Sequence, residues 1–177
     1  MFALTVGMFF SRYTGRDPSW IIIAVALVPD IDLAVQVALQ GIRKLTRIVF
    51  PVIIRHGNFH NILLLFVFSL LFAWVLHYFG IRFIDGLICS VIGIAAHLFE
   101  DALVANPAYA FLWPITMQRF GIGIMKETLN ILGIASSTVL LIGIILLVGA
   151  GVLRTFIEGT GWWRMFLKGG RIDTQSS

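Results

Sequence analysis

Residues 130–153 run for 24 positions without an Asp, Glu, Lys or Arg. At 1.5 Å per residue that is about 36 Å of helix, enough to cross a bilayer, and it commits the chain to one. Residues 20–39, 61–79 and 83–104 are three further apolar runs of membrane length, each interrupted by only a few charged positions. Backbone N–H and C=O groups in hydrocarbon must be satisfied within the protein, so these runs predict helices. Only 12% of residues are charged, about half the share usual in soluble domains, and mean hydropathy is +0.95. The predicted fold is therefore all-α, an integral membrane helical bundle of about four spanning helices. Residues 1–11 are apolar but too few to span upright, which adds a short N-terminal helix.

The connections between the runs are short, so residues 1–177 form a single membrane domain, with the motif-bearing part at 20–115 and a C-terminal span and tail at 130–177. The first residues lack a basic stretch ahead of their apolar run and are expected to stay in the mature chain. The expected location is the cell membrane, as a multi-pass protein. A net charge of +4 comes from Lys and Arg scattered at segment ends, where they anchor helices at the interface, so no nucleic acid is expected as a partner. Cys89 is the only cysteine, which excludes a disulfide framework and a thiolate metal site. Oligomeric state is not encoded in any visible pattern.

Against this apolar background stand three pairs of metal-capable side chains: Asp30/Asp32, His56/His60 and His97/Asp101. Ionisable groups inside membrane segments are costly and by default mark function. If each run crosses once, the exit of the first, the entry of the second and the exit of the third lie on one face, and those places hold the pairs. His97 and Asp101 at i,i+4 share a helix face, as His56 and His60 would. Asp30 and Asp32 would diverge on a regular helix but converge if Pro29 breaks it. Imidazole with carboxylate suits a divalent metal, zinc first and manganese or iron next. Six ligands exceed one tetrahedral zinc, which leaves room for two metals of the kind that activate water in hydrolysis.

Each pair also has an ordinary reading. Acids after a proline are usual at helix ends and turns, His56 beside Arg55 suits a solvated interface, and Asp101 can pair with Arg55 or Arg119. Glu100 is either a general base or a solvated acid at a helix end. His77 lies near the other end of its run and is left out of the site.

The order Pro-Asp-Ile-Asp, Arg-His-Gly-Asn-Phe-His-Asn and His-Leu-Phe-Glu-Asp, with Asn-Pro and Leu-Trp-Pro downstream, resembles the YdjM-like family of membrane-bound metal-dependent hydrolases over residues 20–115. Gly57, His60, His97, Asp101 and Pro114 match the family's motifs. Aligned through Gly57, this chain has Arg55-His56 where the family has His-Arg, and residues 1–20 lack the histidine the family tends to carry there. The resemblance implies a phosphoester or lipid-like substrate.

The leading expectation is a membrane-embedded metal-dependent hydrolase acting on an ester or phosphoester. Its metal ligands would come from Asp30, Asp32, His56, His60, His97 and Asp101, with Asp30, Asp32 and Glu100 as the catalytic acids. The alternative is a non-catalytic membrane protein in which the same groups hold a structural ion or line an ion or proton path. A third reading is a small interaction partner of other membrane proteins, which accounts for the long uncharged run but not for the acids.

Overall fold

The computed structural model describes residues 2–14, 17–46, 57–104, 106–124 and 135–167. Seven helices are described: α1 (Phe2–Thr14), α2 (Ser19–Ala26), α3 (Ile31–Thr46), α4 (Ile62–Tyr78), α5 (Phe83–Val104), α6 (Ala135–Glu158) and α7 (Trp162–Leu167). No strand occurs among the described residues, only an isolated bridge between Tyr109 and Phe120. The fold class is all-α over the described residues, as expected.

Pro29 has no N–H to give to a helix, and its ring crowds the preceding turn. The helix accordingly stops at Ala26, the chain turns through Leu27–Asp30, and α3 leaves at 44° to α2. Together the two pass as one broken span, while α5 and the Leu141–Glu158 part of α6 are each long and apolar enough to cross alone. α4 is apolar but has 17 residues, against 22 in α5 and 18 in the Leu141–Glu158 segment. Among the described residues, two helices, or three spans with the broken pair, meet that length and apolarity, which loosely supports the expected bundle of about four. The helix in the fourth run is described from Ala135, and residues 125–134 lie outside the described part.

A tight turn at Gly80, whose φ of 85° suits glycine, folds α4 back on α5. Small residues let the two helices close up, as is common in membranes: a Cβ on Gly86 would lie 3.3 Å from the Ala73 Cα. Ser69 of α4 and Ser90 of α5 are both fully buried, and Leu65 and Ile94 share a cluster with Val25, Val28 and Leu98. On its other side α5 meets α2 even more closely, since a Cβ on Gly93 would stand 2.7 Å from the Ile22 carbonyl oxygen. α1 packs on α2 and α6.

Polarity is turned inward. Trp74 of α4 and Ile145, Val148 and Phe156 of α6 are exposed, while Asp17, Asp32, His60 and Arg154 are buried, the arrangement expected where the outer solvent is lipid. Arg154 donates to Asp17 at 2.8 Å and to Glu158 at 3.0 Å. Ser19 and Ser11 add hydrogen bonds to the two acids, and the Trp162 ring lies 4.7 Å from the guanidinium. This network ties α1, α2 and α6 together at the opposite end of α2 from Asp30. Arg154 follows the fourth apolar run, where a basic residue is expected to anchor the helix at the interface, but it is fully buried.

Candidate metal centre

Four elements deliver side chains to one point. Asp30 closes the α2–α3 turn, Asp32 is the second residue of α3, His60 precedes α4, and His97 and Asp101 stand one turn apart on α5. Asn61 caps α4 by accepting the Leu64 N–H at 2.9 Å and donates its own amide to the Asn58 carbonyl, which fixes the backbone beside His60. The turn before it depends on Gly57. Its φ is 99°, and a Cβ there would meet the Tyr109 ring at 2.6 Å.

His60 Nε2 lies 3.5 Å from Asp30 Oδ1, 3.4 Å from Asp101 Oδ2 and 3.4 Å from His97 Nε2. His97 Nε2 lies 3.7 Å from the same Asp30 oxygen and 3.5 Å from the same Asp101 oxygen. These separations are longer than ordinary hydrogen bonds, which run about 2.7–3.2 Å. Donors held tetrahedrally at about 2.0–2.2 Å from a zinc-like ion stand roughly 3.3–3.6 Å apart, so the spacing suits atoms that share an ion. Asp30, His60 and His97 form a group that could hold a metal, and the Asp101 oxygen lies within 3.5 Å of both histidines.

Asp32 approaches the other side of His60. Its Oδ2 is 3.4 Å from His60 Nδ1 and accepts the Gly57 and Phe59 N–H groups at 2.8 and 3.1 Å. Metal-binding histidines usually have such a partner on the remote nitrogen, which fixes the tautomer and the ring plane. The break at Pro29 therefore brings both acids to one imidazole, from opposite edges. Tyr109 lies over the same ring with centroids 4.3 Å apart. Burial, then the charges of Asp101, Asp30 and Asp32, push its phenol up to about 12, against a smaller opposing effect of Arg119.

Access to the centre is graded. The side chain of His60 is 1% exposed, His97 17%, Asp101 23% and Asp30 45%, so the centre is most open on the Asp30 side. Glu100 is half-buried, one position round α5 from Asp101, and makes none of these contacts among the described residues. His56 and Arg55 lie outside the described residues. His77 is at the far end of α4, against the Ile81 carbonyl oxygen.

Sequence reasoning missed Tyr109, since an aromatic between Pro107 and Pro114 in a loop has no periodicity to place it. The Asp17–Arg154–Glu158 network had a visible signal, an Arg and a Glu at i,i+4 closing an apolar run. Beside the centre, a cleft of about 730 Å³ is bounded by Gly57, Phe59, Tyr109, Trp113 and Arg119, among others.

Comparison with curated proteins and with solved structures returned no match. A family model described as YdjM inner membrane protein matches residues 1–167, and the chain belongs to that family, an integral protein of the inner membrane.

Proposed function

We propose that this protein is a membrane-embedded metal-dependent hydrolase of an ester or phosphoester whose apolar part stays in the lipid. The observation that carries the reading is the gathering of two imidazole nitrogens 3.4 Å apart with an oxygen of Asp30 and an oxygen of Asp101 each 3.4–3.7 Å from both. Asp30, His60, His97 and Asp101 would hold the ion, zinc before manganese or iron, and Asp32 would orient His60. A bound cation supplies Lewis acidity, lowering the pKa of water and polarising a phosphoryl or carbonyl oxygen.

The remaining work falls to the chain. Asp30, the most exposed of these acids, would accept a proton from the attacking water, and Glu100, which makes no contact with the centre among the described residues, remains a second acid to pass it on. His56 keeps its place as a further candidate ligand. The 17 residues of α4 span about 25 Å, so the centre lies toward one end of the bundle. There a polar headgroup can reach it while the hydrocarbon remains in the membrane.

A structural ion site is the second reading, favoured by the count of donors. Four protein ligands close a tetrahedral zinc, whereas catalytic sites usually leave one position to water. Turnover separates the two. Zinc- or manganese-loaded protein should hydrolyse a chromogenic alkyl phosphate ester, and Asp30→Asn should lower the rate by about a hundredfold or more. Tightly bound metal with no turnover of phosphate or carboxylate esters would favour the structural ion.

A further inference from the structure

The cleft beside the centre has a definite chemical character. Phe59, Leu64, Trp113 and Met117 give it apolar walls, and Arg119 is the only charged side chain in its lining. Asn61 also borders it, but its amide is occupied in capping α4. Among the described residues the Arg119 guanidinium has neither a hydrogen bond nor an ion pair. Tyr109 forms a wall of the cleft and also covers the His60 ring at 4.3 Å, so the cleft begins one aromatic ring away from the metal centre.

A cleft with apolar walls and one cation that is unpaired among the described residues suits a ligand with a hydrocarbon part and an anionic head. A guanidinium presents a planar fork of donors that matches phosphate oxygens two at a time. We propose that this cleft is the binding subsite for a phosphate ester bearing a hydrocarbon chain, with Arg119 on the phosphate and Phe59, Leu64, Trp113 and Met117 along the chain. Describing that ligand as a substrate rests on the hydrolase reading; the binding itself does not.

The test is equilibrium binding of dodecyl phosphate to the full chain in a non-ionic detergent, after metal has been removed by chelation. The native protein should bind it, and Arg119→Gln should weaken binding about tenfold or more, the scale of a lost hydrogen bond to a charged group. Arg119→Lys should fall between the two, and Trp113→Ala should weaken binding while circular dichroism stays unchanged. Inorganic phosphate should bind at least about a hundredfold more weakly, since it forgoes burial of the chain. Equal affinity for inorganic phosphate would make this a free-phosphate site and overturn the proposal. So would unchanged binding in Arg119→Gln, or binding lost in His97→Ala but not in Arg119→Gln. Arg119-dependent binding by a protein that turns over nothing once zinc is restored would uphold the subsite and remove the hydrolase reading.

Discussion

At the scale of single residues, Asp32 and Gly57 show how much of the centre is held from behind. Asp32 is fully buried and touches His60 through the ring nitrogen remote from the other acids, while also accepting two N–H groups of the preceding turn. Asp32→Asn should therefore weaken metal binding by about 10–100-fold without abolishing it, as a chelator competition would measure; affinity equal to the native protein would contradict that role. Gly57→Ala forces a side chain into positive φ and into the Tyr109 ring. It should cost about 1–3 kcal/mol in thermal unfolding and disturb the aromatic cover of His60. Tyr109 has its own signature. Its phenol is pushed up to about 12, so in chelated protein it should stay protonated through roughly pH 9–11, where ordinary tyrosines ionise. Tyr109→Phe should leave the phenolate absorbance in that range unchanged, and loss of one tyrosine's worth of signal would refute the environment described.

At the scale of elements, the helices were legible because lipid imposes one rule on every residue of a run, and uninterrupted apolar stretches obey it visibly. The break at Pro29 was legible for the same reason: an N–H is missing where a helix needs one. Site residues on regular elements could also be read, His97 and Asp101 from i,i+4 spacing. Tyr109 could not, since its place over His60 is set by how the loop after α5 folds back on the Gly57 turn. The burial of Arg154 is not legible, because an arginine at a span end looks the same in sequence whether it meets headgroups or Asp17. Its burial makes it the tie between α6 and the α1–α2 pair. Arg154→Met leaves Asp17 buried and Glu158 part-buried without their cation and should destabilise the fold by about 3–5 kcal/mol. Adding Asp17→Asn and Glu158→Gln should recover most of that loss, and failure of the triple variant to recover would show that packing of the arginine, not charge, dominates.

At the scale of the whole molecule, two polar clusters lie near opposite ends of an apolar bundle, the metal-capable group at one and the Asp17–Arg154–Glu158 network at the other. The family match over residues 1–167 extends well past the segment 20–115 on which the resemblance rested, so α1 and α6 belong to the family's fold along with the motif-bearing helices. This arrangement predicts sidedness. In a Cys89→Ser background, cysteines at Lys44 and Arg119 should react with an impermeant reagent from one face of the membrane and a cysteine at Thr160 from the other. Labelling of Lys44 and Arg119 from opposite faces would break the topology. The central claim is that Asp30, His60, His97 and Asp101 share one ion, and metal analysis of the purified protein tests it most directly. The account predicts one divalent ion per chain, with nitrogen and oxygen neighbours at about 2.0–2.2 Å by X-ray absorption, lost in His97→Ala and kept in His77→Ala. Protein that takes up no divalent ion, or that keeps its full complement in His97→Ala, would contradict it.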